Sequence, residues 1–359
     1  TLDLPALPSL AYQLLLLSPG EKGAVILELA KFFEQRESQL RAAKQKNQQQ
    51  LDTLQQTEGT ILMHVDVVLK QDASLAKDVI KTLNASPFSV TPFVFGVLLA
   101  SLRSSRHQED VSKLLIHLVT SGIADDAAGA ANDWAREALK GGGRRTGNSV
   151  KLIWKDTINR AGAGWHIIIP ALVQLGFNCM EARVKQHAEQ VRELGSTMLQ
   201  LTFQQHSSSR ADILSHLLTH IATVAAEAPY FIDLLAALVE KHTQQVLEFV
   251  QKIQESLDYL SYLRPAVGLQ LVEAILPLLD RSKSFQDHLM IVLRKAMFRG
   301  DVQSRMTAVG SFARWCARSR MEETLAADVM GFLARALTQQ KDVRSVVYSH
   351  METILKQQV

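Results

Sequence analysis

The sequence predicts an all-α protein, an α-solenoid of stacked antiparallel helical pairs of the HEAT or armadillo kind with intervening helical domains. Three observations carry that prediction. Apolar residues recur at three-and-four spacing almost throughout, with no sustained alternation of the strand type. Leu and Ala dominate the stripes, and the breaks between them are short, at Ser18-Pro19-Gly20, residues 84–87, Ala228-Pro229 and Arg264-Pro265. Finally, Gly300-Asp301-Val302-Gln303-Ser304-Arg305 recurs as Lys341-Asp342-Val343-Arg344-Ser345, an offset of about 41 residues, inside the ~40–47-residue period of such arrays.

Taken in order, stripes at 10–17 and 24–33 predict two helices on either side of the first break. Residues 35–58 carry eight Gln with few apolar anchors and are expected to be a solvated helix end running into a flexible linker. A stripe at 61–70 predicts the next helix. Residues 82–102 hold no charge over about the ~20-residue length of a membrane span. Pro87 and Pro92 interrupt that run, so a capped core helix starting near Ser89 is expected in place of a membrane segment. After the 111–119 stripe, GGGRRTG at 141–147 cannot hold a helix and is expected as an exposed loop. In residues 150–161 the stripe Val150, Ile153, Trp154, Thr157 and Ile158 turns Lys151 and Lys155 toward solvent. Stripes at 213–224 and 232–249 follow. In residues 286–300, Leu289, Val292, Leu293, Ala296 and Met297 share one face, and Gly300 ends the helix. Asp301 caps the next, whose stripe is Val302, Met306, Val309 and Ala313, and a last stripe runs through 325–337.

Composition bounds the function. Thirty-nine Lys and Arg against 36 Asp and Glu leave a net charge of +3, and 47% of the 359 residues are apolar. Disordered, collagen-like and polyelectrolyte classes are thereby excluded. The length suggests two or three units or one long array, and the start at Thr1 without Met reads as an internal portion of a longer protein. Cys179 and Cys316 are too few for a disulfide framework or a Cys-rich metal site, which suits buried thiols in a reducing compartment.

Catalysis has no visible carrier. Residues 142–149 have the glycine spacing of a phosphate loop, but Asn148 stands where Lys is needed and the preceding segment reads as helix. His216 and His220 lie four apart without a third metal ligand at compatible spacing. No nucleophile elbow, zincin motif or dinucleotide fingerprint occurs, so neither an enzyme nor a cofactor nor a metal is expected. Basic clustering is more informative: residues 281–320 hold nine basic against two acidic residues, and residues 140–160 six against one. The candidate phosphate contacts are Arg144, Arg145, Lys151, Arg294, Lys295, Arg299, Arg314 and Arg318, which on successive helix ends could neutralise DNA phosphates. The plain alternative is the solvated face of ordinary helices. The spacing of the basic residues is irregular, and composition alone does not choose.

Six motifs in register give the chain a family likeness: LPALPSLAYQLLLLS at 4–18, EGTILMHVDVVLK at 58–70, SPFSV at 86–90, LVQLGF at 172–177, LDYLSYL at 257–263 and MIVLRKAMF at 290–298. Through them the chain resembles the central part of the Fanconi anaemia group I family. The resemblance implies the end of a first solenoid at 1–34, a linker and first helical domain at 35–85, a second short solenoid at 86–178 and a second helical domain at 179–359. It also implies a nuclear, non-enzymatic scaffold for interstrand-crosslink repair. Such a scaffold pairs with its group D-two paralogue, binds duplex or branched DNA, and accepts ubiquitin from a dedicated conjugating enzyme and ligase. The acceptor it implies lies on a helix of the second solenoid, shortly before a Trp and an LGF motif. Lys155, ahead of Trp165 and Leu175-Gly176-Phe177, matches that pattern, with Lys151 as the fallback. The Ser-Gln and Thr-Gln cluster of kinase-switched relatives is absent between Phe177 and Arg210, so that regulation is not carried over. The competing expectation is a helical-repeat adaptor that binds proteins and not DNA.

Overall fold

Caps and prolines set where the helices begin. In the computed structural model, which describes residues 4–18, 20–42, 48–72, 74–85, 90–103, 106–131, 150–160, 162, 164–223, 228–318 and 322–357, no strand occurs among the described residues. Proline occupies the first turn of α1 (Leu7–Leu17), α5 (Pro92–Leu102), α8 (Ile169–Glu181) and α14 (Pro265–Leu279), where its missing N–H costs nothing. Thr91 caps α5 by accepting from the Val94 amide at 3.3 Å, and Ser282 caps α15 (Lys283–Met297) in the same way through Phe285. Asp301 caps α16 (Val302–Arg318), as expected: the Ser304 amide donates to its Oδ1 at 2.7 Å, and that bond holds the carboxyl below its ordinary range.

Thr1–Ser209 forms one compact unit. Besides α1, α5 and α8 it holds α2 (Lys22–Ala42), α3 (Gln48–Gln71), α4 (Ser74–Ala85), α6 (Gln108–Ala131), α7 (Val150–Asn159) and α9 (Ala188–Gln205). Alternate helices stack: α1 on α3, α3 on α5, and α2 on α4, the two-layer pattern of a solenoid. All eleven residues of α5 are buried, because α3, α6 and α7 pack around it, and that is why the uncharged run is apolar on every side. It begins at Pro92, three residues later than expected, and residues 86–89 lie outside the described ones. No helix among the described residues is long and apolar enough to cross a membrane. Helices α8 and α9 meet at Gly176 and Gly195, where a Cβ on Gly195 would stand 2.7 Å from the Gly176 carbonyl oxygen and a Cβ on Gly176 would stand 2.7 Å from Leu199 Cγ, so the two glycines, one of them in the LGF motif, set their close approach.

The expected linker at 35–58 is helical on both sides of residues 43–47, which lie outside the described residues. Gln35, Gln39, Gln48, Gln49, Gln50 and Gln56 are exposed, while Leu54, Thr57 and Glu58 are buried on α3. Too few apolar residues for a regular stripe still sufficed, because Thr57 bonds back to the Thr53 carbonyl and Glu58 has an ion-pair partner.

Arg210–Val359 forms the second compact unit. It comprises α10 (Arg210–Thr223), α11 (Ala228–Lys241), the short α12 (Thr243–Leu247), α13 (Val250–Leu257), α14, α15, α16, α17 (Glu323–Ala336) and α18 (Lys341–Gln357). One layer stacks α11, α14, α16 and α18, and α13 lies on α15 in the other. The predicted face of α15 is buried residue for residue. The helix stops at Met297, three residues short of Gly300. The second copy of the repeat is shifted: Asp342 lies inside α18, and Gln340 precedes it. Arg305 reaches across to Gln340 at 2.9 Å, a side-chain tie between the two copies of the repeat.

Candidate functional site

On α7 the buried residues are Val150, Ile153, Trp154, Thr157 and Ile158, the set that periodicity gives. Lys151 and Lys155 are exposed, and among the described residues no carboxylate lies within ion-pair distance of either amine. Just past the end of the helix the expectation fails. Arg160, counted with the solvent-facing cations, has a side chain only 3% exposed. It is ion-paired with the buried Glu58 and lies 3.2 Å from Glu37, and its guanidinium sits 5.0 Å over the Trp165 ring. Burial pushes its pKa down, against the pull of Glu37. Glu37 also pairs with Arg41 at 2.6 Å, and Arg41 stands 4.0 Å from Asp156 on α7. These groups clamp the end of α7 onto α2 and α3, so Arg160 is a structural cation and the positive stretch around Lys155 is smaller by one charge.

The expected glycine loop, with Arg144 and Arg145, lies outside the described residues. Of the remaining candidate phosphate contacts, Lys151, Lys295 and Arg318 are exposed without an ion pair among the described residues. Arg294 lies 5.9 Å over the Phe332 ring. Arg299 donates to Ser261 at 2.6 Å, approaches Asp301 at 3.7 Å and covers the Tyr262 ring at 5.0 Å. Arg314 is half-buried and ion-paired with Glu273, so its charge is already matched inside the unit. Nor do these residues share one face of the second unit. Arg294, Lys295 and Arg299 lie at the end of α15, whereas Arg318, at the end of α16, is near the turn where Lys283 approaches Glu322 at 3.9 Å.

Among the described residues no group of three or more His, Cys, Asp and Glu side chains could hold a metal ion. His216 and His220 stack at 6.5 Å, and His220 lies flat against Phe231 at 5.0 Å, which is packing geometry. Both cysteines are free, and burial pushes the Cys179 thiol up to about 12 and the Cys316 thiol up to about 11. Neither is poised as a nucleophile at neutral pH.

Comparison with known families places the exposed lysines in a frame. The model of the family described as FANCI solenoid 1 matches residues 1–70, and that of FANCI solenoid 2 matches residues 168–313. The chain belongs to the Fanconi anaemia group I family. It is 27% identical to the Fanconi anemia group I protein of Gallus gallus and 25% identical to the Fanconi anemia group I protein homolog of Mus musculus. Each alignment covers 99% of this chain and 31% of the relative, so the chain spans about a third of the length of the curated relatives it matches. The second solenoid was expected at 86–178, whereas the family's solenoid 2 matches 168–313. Lys155 lies outside both matched stretches and Lys295 lies inside the second.

Sequence reasoning weighed Lys295 only as a phosphate contact. It occupies the exposed side of α15, with Ile291 51% exposed one turn before it and Phe298 67% exposed just past the helix. The signal was present in the 286–300 stripe, which leaves Ile291, Lys295 and Phe298 together opposite the buried face.

Proposed function

We propose that this chain is the central part of a non-enzymatic scaffold of Fanconi-pathway DNA repair, acting in the nucleus at interstrand crosslinks. In this reading it pairs with the group D-two paralogue, binds duplex or branched DNA, and receives ubiquitin on a lysine from a conjugating enzyme and its ligase. Membership of the family carries the reading. The two-layer helical stacking supports it, since such stacks offer extended surfaces for large partners.

Two lysines compete for the acceptor role, each favoured by one observation. Lys155 fulfils the Trp-and-LGF pattern and is exposed on α7. Lys295 fulfils the other requirement, a helix of the second solenoid. Within residues 168–313, Lys185 lies between helices, Lys252 is held by Ser215 at 2.5 Å, and Lys241 has a partner. Lys283 approaches Glu322 at 3.9 Å, which leaves Lys295 as the exposed helical lysine without an ion pair among the described residues. The match of a whole solenoid outweighs a pattern of a few residues, so Lys295 is the leading acceptor and Lys155 the second. Exposed Ile291 and Phe298 beside it suit a protein-covered surface. Chemically the chain supplies only the amine: its nitrogen attacks the ubiquitin thioester, the C–N bond forms, the C–S bond breaks, and the conjugating enzyme's thiol leaves with the proton.

Reconstituted ubiquitination of the paired full-length proteins tests the assignment. Lys295→Arg is expected to abolish modification, whereas Lys155→Arg and Lys151→Arg retain it. Loss in the Lys155→Arg protein alone would return the acceptor to α7, and an unmodified wild type would sink the ubiquitin reading.

DNA binding is tested by salt. Affinity should fall linearly on a log–log plot with a slope of about −0.9 per phosphate contact, and reversing Arg294, Lys295 and Arg299 to Glu should reduce the slope by about 2.7. Undetectable binding even at low salt favours the protein adaptor.

A further inference from the structure

Among the described residues of the second unit, two large wholly apolar side chains are more than half exposed, Ile291 at 51% and Phe298 at 67%. Both flank Lys295, on the side of α15 opposite its buried face. The helical turn runs on past Met297, since the amides of Phe298 and Arg299 donate to the Lys295 and Ala296 carbonyls at 3.2 and 3.3 Å. Phe298 therefore keeps the register of the helix. Side chains three and four apart stand about 5–6 Å from each other at Cβ, so Ile291, Lys295 and Phe298 form one strip with the amine in its middle. The cations beside it are drawn aside, Arg294 over the Phe332 ring at 5.9 Å and Arg299 over the Tyr262 ring at 5.0 Å. Asp301, the carboxylate of the following turn, is engaged by the Ser304 amide at 2.7 Å.

Single exposed apolar residues are ordinary on a protein surface, but a pair bracketing one amine is a place to dock. Transfer of ubiquitin is the aminolysis of a thioester: the Lys295 nitrogen bonds to the carbonyl carbon, the C–S bond breaks and the departing thiol takes the proton. Nitrogen and carbon must first come within about 3–3.5 Å, so the enzyme that carries the thioester covers whatever stands one turn before and after the lysine. A partner seated there permanently would shield the amine and stop the reaction. We propose that Ile291 and Phe298 dock the conjugating enzyme and thereby determine which lysine of this chain is modified. The surface that the enzyme presents around its thiol is then apolar, with acidic groups at the rim facing Arg294 and Arg299. Lys155 lacks this setting: Leu152 is 53% exposed on one side of it, while Ile158 on the other is buried. The proposal rests on Lys295 as the acceptor, given under Proposed function, and goes further by naming what selects it.

Single-turnover transfer from the preloaded enzyme–ubiquitin thioester to the paired full-length proteins, with the ligase present and the thioester concentration varied, reads docking and chemistry separately. Ile291→Ser and Phe298→Ser are each expected to raise the half-saturating concentration by about 5- to 30-fold, the scale of one interface anchor, and to leave the saturating rate unchanged. Phe298→Leu should recover most of the loss, because it restores an apolar side chain. Leu152→Ser, at a similarly exposed position on α7, should change neither quantity. Since Ile291 and Phe298 are exposed, circular dichroism melting of their variants should match the wild type, and so should pairing with the paralogue by size exclusion. If Lys295→Arg is modified like the wild type, the acceptor reading falls and the docking proposal with it. If Lys295→Arg abolishes modification while Ile291→Ser and Phe298→Ser saturate like the wild type, the docking strip is overturned and the acceptor stands. If the serine variants lose pairing, or lower only the saturating rate, the strip serves the paralogue or the orientation of the lysine, and the proposal is wrong.

Discussion

Replacing Arg160 with methionine is expected to destabilise the unit Thr1–Ser209 by about 3–5 kcal/mol, the cost of removing one partner from a buried ion pair. For a unit of this size that corresponds to a fall in midpoint of about 6–20 °C. The reason is the state in which the substitution leaves Glu58. Its side chain is 2% exposed, and its recorded partner is Arg160. Without the guanidinium the carboxylate must stay charged in an apolar junction, take up a proton, or pull α3 open to water. Glu37 is less affected, since Arg41 still pairs with it at 2.6 Å. The double variant Arg160→Met with Glu58→Leu removes both charges and should recover most of the loss, because burying an ion pair repays little more than its own desolvation. Urea denaturation of the chain followed by circular dichroism measures all three. A single variant within about 1 kcal/mol of the wild type would mean that water reaches Glu58 and the clamp is not dry.

That clamp also shows where sequence reasoning ends. The α7 stripe was legible because helical period and residue type alone decide which side is buried, and the side toward α5 and α9 took the five expected residues. The Asp301 cap was legible for the same reason, a local bond spanning three positions. Arg160 was not, since its partners lie 102 and 123 residues away and no local pattern distinguishes it from an exposed arginine. Tyr262 stands about forty residues before Arg299, a separation of one repeat, and only stacked helices bring the two together. The acceptor lysine is a case of another kind: Lys155 and Lys295 are both exposed on amphipathic helices, and exposure alone does not rank them.

Gly164→Ala is the second large effect expected, with a cost well above the ~1–3 kcal/mol of a strained residue alone. Gly164 has φ +99°, a conformation that side-chain-bearing residues rarely adopt. A Cβ there would also stand 1.8 Å from the carbonyl oxygen of Gly59 and 2.3 Å from its carbonyl carbon, and these are backbone atoms in the middle of α3, which cannot swing aside. The neighbouring contacts are equally fixed. Trp165 is buried and donates through Nε1 to the Gln55 carbonyl at 3.0 Å, one turn earlier on the same helix, and its ring lies beneath Arg160. Relieving the clash therefore requires moving the turn Trp165–Ile168 off α3, which exposes Trp165 and loosens the Arg160–Glu58 pair together. Two further glycines separate the contributions. Gly20 has φ +83° with nothing within 4 Å of its would-be Cβ, so Gly20→Ala should cost only the backbone strain. Gly300 has open space and no such φ, so Gly300→Ala should be close to neutral. Measured by urea denaturation, the order Gly164→Ala far below Gly20→Ala, and Gly20→Ala slightly below Gly300→Ala, is the expected result. A Gly164→Ala protein as stable as Gly20→Ala would mean that the turn carrying Trp165 can leave α3 freely, and the α7 clamp would then rest on Arg160 alone.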